Sequence, residues 1–368
     1  DHDRRPPSED LMSQVTETST VPVVQNGDFK VLNKNVIILR RFLRNKAAVF
    51  GLIVFICVGL FGYFGKYVSK YSATESDFMT LGGEGPSAEH WFGTTVGGND
   101  LFAMMSEAVW TSMEIGLVVG IATVIISAIY GCVMAYFGGW IDRVMLFLLE
   151  TMIMVPSLLI LAIFINGQIG KQIQKTVPTW IVLSSVLIVF GWMGPARVIR
   201  AMAQSLIGRD YVKAARYMGV HPFKIVLRHL VPNIGSMLVL NFTTGIMIAV
   251  LSEVAYSFIG IGITYPNYSL GSLISDAAQQ LNTLPHMFWF PVIFFFLLVG
   301  PLSLMNDGLR DAFDPTSMSV GKIKKSKKPK SQKSASKIEE AEAQEAGAAA
   351  PSTDPNPDAQ ASTQNEEA

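Results

Sequence analysis

Asp210-Tyr211-Val212-Lys213-Ala214-Ala215-Arg216-Tyr217-Met218-Gly219 lies between two strongly apolar blocks and reads as a short amphipathic helix with its own start and stop. Gly208 is placed to end the preceding helix and Asp210 to cap the new one, since a carboxylate at a helix start accepts the free N–H groups of the first turn. Tyr211, Ala214, Ala215 and Met218 recur at i, i+3, i+4 and i+7, which makes one apolar and mostly small face, with Lys213 and Arg216 pointing elsewhere. Gly219 supplies the stop. Pro222 suits the first position of a second short helix running to Leu230, which Pro232 is expected to break. A short helix with small residues on its docking face fits insertion into a partner's groove.

On either side of this stretch the chain is apolar in blocks of about 20 residues, the length that crosses about 30 Å of hydrocarbon as helix. Six such blocks are predicted, at residues 47–68, 113–136, 144–165, 180–193, 234–256 and 287–305, the fourth reaching full length only as a tilted 182–199. Composition agrees: of 368 residues 50% are hydrophobic and only 16% charged, too little charge to cover a soluble surface. Gly116, Gly131, Pro156, Gly191 and Pro195 would weaken a soluble helix but are ordinary in bilayers, where small residues let helices approach. Cys57 and Cys132 both fall inside apolar blocks and read as packing residues, not a disulfide. The first block begins too far in and is too long for a cleavable signal peptide.

Lys and Arg set the orientation. The segment before the first block carries Arg40, Arg41, Arg44 and Lys46, and the connection at about 197–233 carries Arg197, Arg200, Arg209, Lys213, Arg216, Lys224 and Arg228 against Asp210 alone. Residues 257–286 hold no Lys or Arg and 69–112 only Lys70, so both termini and the 197–233 connection are expected on the cytoplasmic side of the plasma membrane. Lys171 and Lys175 dissent and are outweighed. The chain then divides into a disordered tail at 1–28, a cytoplasmic or interfacial lead-in at 29–46, a six-span body at 47–315, and a disordered cytoplasmic tail at 316–368, lysine-rich and then acidic.

With these pieces in place, the 210–219 run, followed by Arg228-His229-Leu230-Val231-Pro232-Asn233, resembles the E-A-A…G…L-P signature of ATP-binding-cassette (ABC) importer permeases. Its nearest form is the Y-V-x-A-A-R…G…R-H-x-x-P-N version of the dipeptide/oligopeptide (and nickel) permease family, with Lys213 in place of the signature's Glu and Val231 in place of its Leu. His90-Trp91-Phe92-Gly93-Thr94 with Asn99-Asp100, Ala135-Tyr136-Phe137-Gly138-Gly139-Trp140-Ile141-Asp142, Ser257-Phe258-Ile259-Gly260-Ile261-Gly262 and Asp307-Gly308-Leu309-Arg310-Asp311 resemble further family segments in order. The chain is most similar to the "C" type subunit, which carries an external segment between its first two spans.

The resemblance implies an all-α membrane protein: six transmembrane helices in the type I ABC importer permease fold, with a cytoplasmic coupling helix. Asp210, Tyr211, Lys213, Ala214, Ala215, Arg216, Met218 and Gly219 would form the contact with an ATPase subunit. It also implies a homologous second permease, ABC ATPase subunits that bind ATP and Mg, and an extracytoplasmic solute-binding protein, with no cofactor in this chain. Peptides are the expected cargo; nickel chelates, haem, glutathione and oligosaccharides use similar permeases.

Three polar residues inside the spans are candidates for the pathway or its gate. Glu150 in the third span costs something like 2.5–3.5 kcal/mol on insertion scales, so it is expected against protein or a watery path. It either lines the pathway or holds the bundle through a helix–helix hydrogen bond, and Asn241 in the fifth span presents the same alternatives. Glu253 falls near the outer end of that span, as a gate residue or simply where hydration is easy. His2, His90, His221, His229 and His286 show no metal-ligand spacing with Cys, Asp or Glu. Gly-Lys pairs at residues 65, 170 and 321 lack the remainder of a phosphate loop, and no nucleophile–base arrangement is visible, so neither a nucleotide site nor catalysis is expected. No nucleic-acid partner is expected. A secondary transporter would show two repeated halves with broken helices, and the chain lacks that internal symmetry.

Overall fold

The computed structural model describes residues 34–313, so the readings of 1–28 and 316–368 as disordered tails lie outside the described residues. Helix α1 (Lys34–Arg44) ends at Asn45, whose side chain accepts from the N–H groups of Ala47 and Ala48 and so caps α2 (Lys46–Val68). A stretch of turns follows, with one 3-10 turn at Phe78–Thr80. Helix α3 (Leu101–Phe137) then runs for 37 residues without a break. It starts well before residue 113, the expected edge of the second span, because the Asp100 carboxylate accepts from Ala103 N–H and nucleates the helix ahead of its apolar window.

The third span departs most from expectation. Helix α4 (Gly139–Ile153) and α5 (Ser157–Asn166) meet at a 65° bend, so 144–165 is a broken span, not one rod. Pro156 causes the break: it lacks an N–H to donate, and its ring drives the residue before it out of helical geometry. A short α6 (Gln168–Gln174) leads to α7 (Thr179–Gly191) and α8 (Met193–Ile207), which together reach 29 residues and far outrun the expected 180–193. Pro195 is tolerated there because it lies in the first turn of α8, where N–H groups lack helical partners anyway.

Helix α9 (Asp210–Tyr217) is followed by α10 (Pro222–Ile225), one π turn (Val226–Leu230), one 3-10 turn (Val231–Ile234) and α11 (Gly235–Phe258). Pro232 therefore does not end a helix as expected. The π and 3-10 turns place it where no N–H is required, and Pro222–Phe258 continues as one rod of membrane length. The 257–286 connection folds into α12 (Leu270–Ala278), capped by Ser269 and Ser272 in a reciprocal box, before α13 (Pro285–Phe313) closes the bundle. Five helical rods are long and apolar enough to cross a bilayer among the described residues, and the bent α4–α5 pair meets the same test only when its two helices are taken together as one span.

Helix α3 is the hub, packed by α2, α7, α8 and α11. A Cβ built on Gly116 would stand 2.9 Å from Val250 Cγ2, and one on Gly120 would stand 2.9 Å from Ile246 Cγ1. Four residues apart on α3, the two glycines form the groove that lets α11 seat, the contact that replaces hydrophobic driving force inside a bilayer. Phe50, Ile53, Leu60 and Phe64 of α2 remain exposed, as suits a lipid-facing surface.

Candidate functional site

At the C-terminal end of α3, one apolar cluster ties three parts of the chain to α9. Ala128, Cys132 and Ala135 of α3, Ile199 and Ala203 of α8, Ile225 of α10, and Val226 and Leu230 of the π turn all pack with Val212 and Ala215 of α9. The face of α9 that meets its own chain is thus Val212/Ala215, with Ala215 only 2% exposed. Tyr211, Ala214 and Met218 of the expected face, together with Lys213 and Arg216, are exposed, and Tyr217 joins them at 88%. Ala215 is thereby placed in the root of the helix and not on its outer surface. Asp210 is the first helical residue, not a cap; no side chain caps α9, whose preceding residue is Arg209 in extended conformation. Gly219 has φ +73°, the left-handed geometry that favours glycine at a helix stop.

A second feature anchors this end. Arg200 of α8 donates from Nε and one terminal nitrogen to both carboxylate oxygens of Asp142 in α4, each at 2.5 Å. The pair fixes α8, which leads directly into α9, against the broken third span. In the sequence Arg200 counts as one more positive charge of the 197–233 connection and Asp142 belongs to a family-like segment, and only the fold brings them together.

The three intramembrane candidates fall into different surroundings. Glu150 is half-exposed on α4, one turn before the break, with an Arg197 guanidinium nitrogen 3.8 Å away. Asn241 lines a cavity of about 250 Å³ between α3, α5, α7, α8 and α11, shared with Thr123, Ser157, Thr244, Ser252 and Tyr256. Its amide nitrogen is buried and has no hydrogen-bond partner among the described residues. Ser157 and the Tyr256 hydroxyl, 3.0 Å apart, tie the second half of the broken span to α11 beside it.

Glu253 is not at a hydrated interface. It is fully buried, because α12 and the turn before it fold over the end of α11. Ser112 of α3 donates to one carboxylate oxygen and Ser257 to the other, both at 2.8 Å. Ser112 Oγ also accepts from Leu270 N–H, and Ser257 Oγ accepts from Ile263 N–H and from the Ser269 hydroxyl. One carboxylate thus joins α3, α11 and the N-terminus of α12. Ser257 was legible as the i+4 neighbour of Glu253; Ser112 and Ser269 were not. Beyond this knot, at the opposite end of α3 from α9, lies a cavity of about 480 Å³ lined by Asn99, Tyr265, Tyr268, Asp276 and Gln280 among others. Burial raises the carboxyl pKa of Asp276 there and pushes the Tyr268 hydroxyl up to about 12.

The described residues hold no group of three or more His, Cys, Asp or Glu side chains placed to bind a metal ion.

Comparison with known proteins matches the chain to transport subunits. The family described as "binding-protein-dependent transport system inner membrane component" matches residues 127–318, and "N-terminal TM domain of oligopeptide transport permease C" matches residues 36–83. The oligopeptide transport system permease protein OppC of Mycobacterium tuberculosis is 36% identical over 288 residues, covering 78% of this chain and 97% of that protein. The dipeptide transport system permease protein DppC of Bacillus subtilis is 30% identical over 279 residues, covering 75% of this chain and 84% of its own. A solved structure of the methionine ABC transporter MetNI in inward-facing conformations aligns with TM-score 0.41 and 18% identity, over 56% of this chain and 95% of its own. The chain is a multi-pass membrane protein that belongs to the family of binding-protein-dependent transport system inner membrane components.

Proposed function

We propose that this chain is the C-type permease subunit of an ABC importer, forming half of the path by which peptides handed over by an extracytoplasmic solute-binding protein cross the plasma membrane. A homologous permease forms the other half, and separate ATPase subunits bind ATP with its Mg, so the chain itself catalyses nothing. Both termini and α9 face the cytoplasm; the Lys and Arg of the lead-in and of residues 197–233 support this orientation. Similarity to oligopeptide and dipeptide permeases supports peptides as the cargo. The cavity around Asn241 has no charged residue in its lining, which suits a passage for cargo of varied side chains.

The observation that carries the reading is the build of α9: its outer face is free, and its inner face is locked to α3, α8 and the start of the fifth span. In this reading, closure of the ATPases pushes on Tyr211, Ala214, Tyr217 and Met218. The cluster beneath transmits the push as a rigid-body movement of helices, which switches the pathway between its inward- and outward-facing states. The test replaces Tyr217 and Met218 together by Asp in the complete complex, reconstituted in proteoliposomes. Unchanged assembly of the two permeases with loss of peptide uptake and of hydrolysis stimulated by loaded binding protein is expected. Wild-type uptake and stimulation would sink the proposal.

A further inference from the structure

Helix α1 carries three distinct stripes. Phe42 is buried and, with Ile38, packs toward Ala312 and Leu309 of α13, while Arg41 donates to the Ala312 carbonyl at 3.3 Å. Next around the helix, Leu39, Leu43 and Val36 are 57%, 56% and 47% exposed. Beyond them, Arg40 and Arg44 lie along the following edge, both exposed. Spacing of i, i+3, i+4 and i+7 keeps each set on one strip of surface. An apolar stripe bounded on one side by packing and on the other by arginines has no use for bulk water.

We infer that α1 lies in the headgroup plane of the cytoplasmic leaflet and binds anionic lipid, with Val36, Leu39 and Leu43 among the acyl chains and Arg40 and Arg44 on phosphates. Two observations favour lipid over a protein partner. The membrane rod α2 begins at Lys46, so α1 stands at the bilayer boundary. Just past the Asn45 junction, α2 carries Phe50 and Ile53 exposed, on a rod whose outward face meets hydrocarbon. Arginine suits the headgroup level because its planar fork binds phosphate at two points while its stem lies along the apolar layer. The choice of leaflet rests on the orientation proposed above; the depth of the helix does not.

The experiment uses the complete complex in nanodiscs, with an environment-sensitive fluorophore on Leu39→Cys in a Cys57→Ser, Cys132→Ala background, and Gln204→Cys as the water-exposed reference. Bromine on the acyl chains should quench the label at 39 several-fold more than at 204, provided anionic phospholipid is present. Purely zwitterionic lipid, or Arg40→Gln with Arg44→Gln, should remove most of that quenching while the complex stays assembled. Quenching indifferent to both anionic lipid and the arginines would overturn the proposal. So would shielding of position 39 from bromolipid and aqueous iodide alike, the signature of a covering subunit. An impermeant thiol reagent added outside intact cells tests the leaflet separately, since labelling of position 204 would reverse the orientation and leave the depth result standing.

Discussion

Ala215 and Met218 show how a single residue's role turns on which way its helix is rotated. Their spacing puts both on one apolar face, but the chain packs Ala215 inward and leaves Met218 outside. The two positions should therefore fail differently when altered. Ala215→Trp overpacks the cytoplasmic cluster, a disturbance of about 1–3 kcal/mol, and should lower the thermal midpoint of the detergent-purified subunit. Met218→Asp should leave that midpoint unchanged. Glu253 offers a second contrast of the same kind. Removing the carboxylate in Glu253→Ala strands the buried Ser112 and Ser257 hydroxyls, and each unsatisfied buried group costs about 1–3 kcal/mol. Glu253→Gln keeps one strong acceptor and should cost distinctly less. Unfolding midpoints in detergent compare the pair, and equal losses would mean that the carboxylate does not hold the knot.

Among the elements, α8 and α4 form the joint that steadies the route into α9, and the Asp142–Arg200 pair is its fastener. Hydrogen bonds to charged groups are worth about 1.5–3 kcal/mol each way, and Arg offers a two-point geometry that Lys cannot reproduce. Asp142→Asn and Arg200→Lys should each weaken peptide uptake and loosen the half of the bundle that carries α9, read as faster amide hydrogen exchange in α8 and α9. The double change should cost clearly less than the sum of the two, because both remove the same contact; full additivity would show that the two residues act separately. The break between α4 and α5 illustrates what sequence could and could not supply at this scale. Pro156 was visible as a tolerated residue inside an apolar block, and hydropathy measures only how apolar a window is, so it reads a bent pair and a straight rod alike. For the same reason the window missed the first turns of α3, where Ser106 and Glu107 dilute the apolar run although Asp100 had already started the helix. Pairs such as Ser112 with Glu253, 141 residues apart, belong to tertiary packing and leave no local periodicity to read.

For the whole molecule, the legible part was the alternation of apolar blocks with charged and uncharged connections, because a bilayer imposes length and sidedness on every span. That alternation also makes the strongest demand on the complete fold. Helix α3, at about 1.5 Å per residue roughly 55 Å long, reaches from the Asp100 cap to the cluster under α9. Ser112 of the Glu253 knot and Cys132 of the α9 anchor are 20 residues apart on α3, about 30 Å or one hydrocarbon thickness, so knot and anchor lie toward opposite faces of the membrane. Cysteines placed at Ser87 and Gln204, both exposed in the fold, report those two sides. In intact cells, with Cys57 replaced by Ser, an impermeant thiol reagent added outside should label position 87 and spare position 204. Permeabilising the cells should expose 204 to the same reagent. Asn267, in the turn that folds over Glu253, should follow Ser87, though more slowly because it is partly enclosed. Labelling of 204 in intact cells would place α9 outside, out of reach of any ATPase, and the coupling role would fall with it. Sparing of 87 and 267 together would instead mean either that residues 69–100 and α12 lie under another subunit or that they face inward. Loss of that protection on separating the complex would then distinguish a covered outer surface from an inverted one.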